Sequence, residues 1–132
     1  MTPIQSLIAY ILWVWVWLVV ASVVRNRGWN MAGVRVFISY RDKLPPTTAL
    51  SHRLDRISAN AVENLPIFGF LVVACLLAGV PANAMRFPCE MFVAVRVVYT
   101  ALGVLGAQAP RTATWVVSLV PLAQLVMLAL SR

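Results

Sequence analysis

The sequence predicts an all-α integral membrane protein that folds as a bundle of four transmembrane helices. Of its 132 residues, 61% are hydrophobic and only 11% are charged, and the mean hydropathy is +0.84. A soluble domain of this size could not cover so much apolar surface. Four apolar runs approach the ~20 residues that a helix needs to cross ~30 Å of hydrocarbon, and no alternating pattern indicates a β-barrel. The predicted spans occupy residues 4–24, 58–80, 90–105 and 112–130.

The first run is predicted to be retained as a span. It lacks the basic segment and the small-residue cleavage site of a secretory signal, and it is long and rich in tryptophan. We therefore treat residues 1–132 as a single membrane domain.

The placement of the basic residues predicts the orientation of the spans. Only Arg86 and Arg111 lie in the second and third connections, whereas seven basic residues lie between the first two runs. These seven are Arg25, Arg27, Arg35, Arg41, Lys43, Arg53 and Arg56. The positive-inside rule then puts the basic loop, residues 25–57, in the cytoplasm and both termini outside. This placement accounts for the net charge of +7 without nucleic-acid binding, and the short chain without a retention signal favours a bacterial inner membrane.

Prolines and one serine predict where the second and third helices begin and bend. Pro45 and Pro46 prevent a helix across the middle of the loop, and Ser51 is the predicted N-cap of the second helix. Pro66 lies about one turn into the bilayer, where it permits a bend. Pro88 is predicted to occupy the first turn of the third helix.

A polar stripe runs along the first part of the predicted second helix, and the part of this helix that lies deeper in the membrane is apolar. At ~100° per residue, Arg53, Arg56, Asn60 and Glu63 fall within an arc of roughly 80°. Polar groups are costly in lipid, so this stripe is expected to face protein or water.

The predicted third helix carries a matching stripe around a deeply placed arginine. Arg96, Tyr99, Gly103 and Gly106 repeat the same offsets, and Arg96 is close to the middle of the bilayer. An unpaired Arg there costs at least ~2.5–3.5 kcal/mol on insertion scales. Glu63 is its least costly partner, so we expect this pair to hold the two helices together.

The two stripes and Arg111 together predict a polar pocket that opens to the cytoplasm. It combines cations, one carboxylate and neutral donors, contributed by Arg56, Asn60, Glu63, Arg96, Tyr99 and Arg111. Such a pocket suits a polyanionic small molecule with an amine, because guanidinium groups bind carboxylates and a carboxylate binds an amine. The sequence has no Ser-His-Asp set, glycine-rich phosphate loop or metal cluster, which disfavours catalysis by a protein nucleophile or a metal.

The remaining reactive side chains are expected to have structural roles. Cys75 and Cys89 lack metal or redox spacing and are expected to pack as small apolar residues. His52 is expected at the surface of the loop. An alternative role for Arg35 or Arg41 is to reach over the entrance of the pocket.

The stripe on the second helix resembles the signature of the MAPEG family, the membrane-associated proteins in eicosanoid and glutathione metabolism. The residues that carry the resemblance are Arg53, Arg56, Asn60, Glu63, Pro66 and Phe68, then Arg96, Tyr99 and Arg111. It covers the chain from about Arg53 to Thr112, and four spans, small size and a basic first loop agree with it.

The resemblance implies a homotrimer that binds glutathione, as co-substrate, between neighbouring subunits at the cytoplasmic side. The glutathione-binding residues that it implies are Arg53, Arg56, Asn60, Glu63, Arg96 and Tyr99, and the implied catalytic residues are Arg111 and Tyr99. The implied reaction is transfer of glutathione to a lipophilic electrophile from the bilayer, or reduction of a lipid hydroperoxide. Many members have a second tyrosine one turn after the first, where this chain has Gly103.

Two other functions remain open from the sequence. A family member that has lost catalysis would serve as a binding or structural protein. Gly103 keeps this alternative open, because it stands where many members have a second tyrosine. A small four-helix exporter would need an acidic residue in the middle of the first span, and residues 4–24 contain none.

Overall fold

The structure, a computed structural model, describes residues 1–28, 30–39 and 45–131, except for the side chain of Phe37. Five α-helices form in these residues. They are α1 (Pro3–Arg25), α2 (Met31–Ile38), α3 (Ala49–Leu77), α4 (Ala82–Leu105) and α5 (Gln108–Leu130).

Four of the described helices, α1, α3, α4 and α5, are long and apolar enough to cross a membrane. They contain 23, 29, 24 and 23 residues, which corresponds to ~35–44 Å at the α-helical rise. Large apolar side chains such as Trp15, Phe70 and Leu77 point outwards, with 62%, 75% and 85% of their surface exposed. Outward apolar side chains are expected where lipid surrounds the bundle. The prediction of an all-α membrane protein with four spanning helices is thereby confirmed.

The end of the bundle where α1 ends and α3 begins carries most of the basic residues. Here Arg25 pairs with Asp55 at 3.9 Å and donates a hydrogen bond to the backbone oxygen of Pro45. The short connection between α4 and α5, residues 106–107, lies at the same end. We call it the basic end, and its described basic residues are Arg25, Arg27, Arg35, Arg53, Arg56 and Arg111. The opposite end is the far end.

The basic loop contains a short helix, α2, that the sequence analysis did not predict. Asn30 caps it by accepting a hydrogen bond from the backbone N–H of Gly33 at 2.7 Å. Gly33 packs so closely on the turn that follows α1 that a Cβ there would collide with the backbone oxygen of Gly28. Arg41 and Lys43 of this loop lie outside the described residues.

The first turns of α3 and α4 differ from the prediction. Thr48, and not Ser51, is the N-cap of α3. The Thr48 hydroxyl accepts a hydrogen bond from the Ser51 N–H at 3.1 Å, and the Ser51 hydroxyl accepts one from the Thr48 N–H at 2.9 Å. This is a capping box with serine at its third helical position. Pro88 lies inside α4, which begins at Ala82, and α3 continues through Pro66 to its end at Leu77.

Three aromatic rings join α1, α3 and α4 in the interior of the bundle. Tyr10, Phe68 and Phe92 are fully buried. The rings of Phe68 and Phe92 stack with their centroids 4.3 Å apart, and Tyr10 packs edge-on against both. The Tyr10 hydroxyl also donates to the backbone oxygen of Ala61 at 3.2 Å. This cluster fixes α3 beside α4 and so positions the polar stripes that lie closer to the basic end.

Truncation of Phe68 tests this core. Phe68→Ala should lower the free energy of unfolding by about 3–5 kcal/mol, because it opens a cavity between three helices. The measurement is unfolding by sodium dodecyl sulfate in mixed micelles. Phe70→Ala, on the same helix but 75% exposed, is the control and should change stability by less than about 0.5 kcal/mol. An equal loss in both variants would contradict the assigned core.

Candidate functional site

The stripes on α3 and α4 face each other near the basic end. The guanidinium group of Arg53 lies against Gly106, where a Cβ would collide with its Nη1 atom. One turn deeper, Ile57 covers Gly103, and a Cβ there would lie 2.8 Å from the Cγ1 and Cδ1 atoms of Ile57. Both glycines therefore allow α3 side chains to lie directly on the backbone of α4.

Arg96 is the deepest charged residue of this interface among the described residues. It precedes the end of α4 at Leu105 by nine residues, or ~14 Å along the helix, which is far inside a ~30 Å hydrocarbon core. Only 2% of its surface is exposed. Its Nη2 atom donates to the side-chain oxygen of Asn60 and, at 3.5 Å, to the backbone oxygen of Asn60. Its Nη1 atom makes no hydrogen bond within the part of the chain that the structure describes.

The expected ion pair between Arg96 and Glu63 does not form within the described chain. Arg96 turns instead to Asn60, which lies one turn before Glu63 on α3 and accepts its hydrogen bonds. Glu63 is exposed on the outer surface of α3, and none of the ion pairs in the described residues includes it. The prediction assumed that the buried guanidinium group of Arg96 needs a carboxylate as its partner. In the structure, the neutral side-chain amide of Asn60 accepts its hydrogen bond instead.

Tyr99 lies between two guanidinium groups. Its ring is 4.5 Å from the Cζ atom of Arg96 and 5.9 Å from that of Arg111. Both distances are within the range of a cation–π interaction. The aromatic ring thus connects the buried Arg96 to Arg111, which is half-buried in the first turn of α5.

A cavity of about 500 Å³ opens at the basic end, between the first turns of α3 and α5. Its basic lining residues are Arg53, Arg56 and Arg111, together with His52. The rest of the lining is Thr47, Thr48, Ala49, Gly103, Gly106, Ala107 and Gln108. The cavity therefore has three permanent positive charges and no carboxylate in its described lining, which suits an anionic ligand.

The structure brings together some of the predicted site residues and separates others. Arg53, Arg56 and Arg111 line the cavity, whereas Asn60, Arg96 and Tyr99 form a network deeper in the bundle. Glu63 belongs to neither group. Arg35, which was considered for the entrance, lies on α2 and is not a lining residue, and Arg41 is outside the described residues.

Several lining residues were not predicted. His52 was expected only at the surface; it is exposed, but it also faces the cavity from the first turn of α3. Ala107 and Gln108 line it beside Gly106, a residue of the predicted stripe, because only two residues connect α4 to α5. The sequence signal for these positions was the short polar connection before Arg111, which forces both helix ends to lie beside the start of α3.

Comparison with known protein families identifies the chain. The model of the MAPEG family matches residues 2–131. The chain belongs to the MAPEG family. Searches of curated proteins and of solved structures return no match. Membership makes this an integral, multi-pass membrane protein of a family linked to glutathione and eicosanoid metabolism.

Gly103 of this MAPEG protein lies under the side chain of Ile57. The resemblance led us to expect that many members have a second tyrosine where this chain has Gly103, and Ile57 occupies the space above Gly103. Ile57 is 1% exposed, so it has little room to move aside. The Arg111 side chain also comes within 3.6 Å of where a Cβ at residue 103 would lie. The site therefore has one tyrosine, Tyr99, between its buried and its exposed cations.

Removal of the Asn60 amide tests the network in this MAPEG protein. Asn60→Ala should lower the free energy of unfolding by about 1.5–3 kcal/mol, because Arg96 loses its side-chain acceptor while still charged. The double variant Asn60→Ala with Arg96→Met should be more stable than Asn60→Ala alone, since it leaves no buried charge. Asn83→Ala, at the exposed far end, is the control. A double variant that is less stable than Asn60→Ala would rule out this role for Asn60.

Proposed function

We propose that this MAPEG protein is a glutathione-dependent membrane enzyme. It transfers glutathione to a lipophilic electrophile, or reduces a lipid hydroperoxide with it, and it works as a homotrimer. The observation that carries the proposal is the cavity at the basic end, with three guanidinium groups and no carboxylate in its described lining. A volume of about 500 Å³ is within the range of small-molecule sites.

The charges of glutathione match those of the cavity. Its two carboxylates suit Arg53 and Arg56, because guanidinium groups bind carboxylates through two parallel hydrogen bonds. Arg56 is exposed and Arg53 is held against Gly106, so one group is free to adjust to the ligand and the other is fixed. Arg111 is the third guanidinium group of the lining, whereas the deeper Arg96 is buried and does not line the cavity.

The position of Glu63 supports a site that is completed by a neighbouring subunit. Glu63 is exposed and lies two turns from Arg56 on α3, so both can face a second copy of the chain. In a homotrimer, Glu63 would take the glutathione amine while Arg56 takes a carboxylate. Three such sites would then lie between subunits at the basic end, which we place in the cytoplasm of a bacterial cell.

Arg111 is the proposed activator of the thiol. A free thiol has a pKa of ~8.5, and a nearby cation lowers it. Arg111 lines the cavity and lies beside Tyr99, so it can stabilise the thiolate while the Tyr99 hydroxyl donates a hydrogen bond to the sulfur. Thr112 is less suited as the donor, because its hydroxyl already donates to the backbone oxygen of Gln108 at 3.1 Å.

The second substrate is proposed to enter from the bilayer. The helices around the cavity present apolar side chains to lipid, including Leu105 of α4 and Trp115 of α5. A lipophilic molecule dissolved among these side chains would reach the thiolate without leaving the membrane. Holding both reactants at one site supplies proximity, in addition to the activation of the thiol by Arg111.

Replacement of Arg56 tests glutathione binding. Arg56→Ala should weaken binding by about 10- to 150-fold, because a charge-assisted hydrogen bond contributes about 1.5–3 kcal/mol. Isothermal titration calorimetry in detergent gives the affinity, and size-exclusion chromatography checks the assembly. Arg86→Ala removes an exposed cation at the far end and should bind as the unchanged protein does. Unchanged affinity in Arg56→Ala would refute the proposed site.

Replacement of Arg111 tests activation of the thiol. The protein mixed with glutathione at neutral pH should show the ultraviolet absorbance of a thiolate, and Arg111→Gln should lose most of it while glutathione still binds. Tyr99→Phe should lose part of the absorbance, because only a hydrogen bond is removed. Equal absorbance in Arg111→Gln would exclude Arg111 from this role.

A catalytically silent binding protein is the second candidate. It is favoured by Gly103, where Ile57 leaves no space for a second tyrosine. The same spectroscopic experiment separates the two functions. Glutathione binding by calorimetry without thiolate absorbance in the unchanged protein would support the silent protein, and absorbance would support the enzyme.

A further inference from the structure

Several apolar side chains of α2 point away from the rest of the protein. On a helical projection, Met31 and Ile38 lie within ~20° of each other and Gly33 lies on the opposite side. Gly33 is buried against the turn that follows α1, whereas Met31 and Ile38 are 74% and 75% exposed. Val34, on the same outward side, is 38% exposed. The helix α2 therefore packs on the protein through Gly33 and the half-buried Val36 and leaves further apolar side chains exposed on its outward side.

Basic residues border this outward face. Arg35 is exposed and lies ~40° from Met31 on the helical projection. Arg27 is exposed in the turn between α1 and α2, where its φ of 59° puts it in the left-handed region. An apolar face with flanking cations is typical of a helix that lies in the interface between lipid headgroups and acyl chains.

A narrow apolar notch lies between α1 and α2. Its volume is about 180 Å³, and its lining includes Val19 and Val23 of α1 with Gly33 and Val34 of α2. Val19 is 53% exposed on a helix that spans the membrane, so the notch opens towards lipid. It therefore offers a place for part of an acyl chain directly beside the cations of α2.

We propose that α2 and the last turns of α1 bind one anionic phospholipid. Met31, Val34 and Ile38 lie among the acyl chains, an acyl segment enters the notch, and Arg27 and Arg35 contact the phosphate. Lipid is favoured over a protein partner because the face continues the lipid-facing surface of α1. An anionic lipid is favoured because Arg27 and Arg35 are both exposed, whereas the neighbouring Arg25 already pairs with Asp55.

This site is separate from the proposed glutathione site. No residue of α2 lines the cavity at the basic end. Loss of lipid binding should therefore leave glutathione binding intact, and loss of glutathione binding should leave lipid binding intact.

The test titrates the full detergent-purified chain with phosphatidylglycerol or phosphatidylcholine and measures bound lipid by native mass spectrometry. The unchanged chain should prefer phosphatidylglycerol. Arg27→Gln and Arg35→Gln should each weaken its binding by about fivefold, which corresponds to about 1 kcal/mol for each basic residue near an anionic lipid surface. Ile38→Ser should weaken the binding of both lipids. Inorganic phosphate alone should not compete, since it has no acyl chain.

Arg86→Gln is the matched control, because it removes one exposed cation from the far end. It should keep the preference for phosphatidylglycerol. Circular dichroism of each variant checks that the helices persist. Equal binding of the two lipids by the unchanged chain, or a preference that survives the double variant Arg27→Gln with Arg35→Gln, would overturn the proposal. A change of oligomeric state in Ile38→Ser with unchanged lipid affinity would also overturn it, because the face would then be a contact between subunits.

Discussion

The hydrogen bonds between Arg96 and Asn60 are the constraint on which the rest of the site depends. A guanidinium group this far from the helix end cannot reach water easily, so α3 must present an acceptor at the same depth. Asn60 does so with both its side chain and its backbone. This fixes the axial position of α3 relative to α4, and the contacts of Ile57 with Gly103 and of Arg53 with Gly106 follow from the same alignment.

The aromatic cluster and the polar stripes divide the bundle into two zones with different requirements. Tyr10, Phe68 and Phe92 fill the interior by close packing. Towards the basic end, α4 has glycines, and the space above them is occupied by Ile57 and Arg53 of α3 and by Arg111 of α5. The apolar zone provides rigidity, because its side chains cannot shift without opening a cavity. The polar zone can then hold several like charges within one small region of the bundle.

The sequence was sufficient to predict the fold and the two facing stripes, because the periodicity of polar residues on apolar helices is a strong signal. It was not sufficient to identify the partner of Arg96. The charge of Arg96 favoured Glu63 as its partner. Asn60 and Glu63 are one turn apart on α3, and which of them Arg96 reaches depends on how far α3 and α4 are shifted along their axes. The sequence does not report this shift. Ser51 was likewise mistaken for an N-cap because it is a hydroxyl residue at the third helical position, where a capping box ordinarily has Glu or Gln. The helix α2 was missed because Pro45 and Pro46 indicated an extended loop, although they affect only residues after α2.

The first turn of α5 has a consequence for how quickly ligands arrive. Its N-cap, Ala107, has no side chain that could accept a hydrogen bond from the free backbone N–H groups. Those groups add the positive end of a helix dipole to the guanidinium charges around them. The resulting electric field extends beyond contact distance and attracts anions from solution, an effect that weakens as ionic strength rises. The charges at the mouth of the cavity thus favour the approach of anions as well as contact with them.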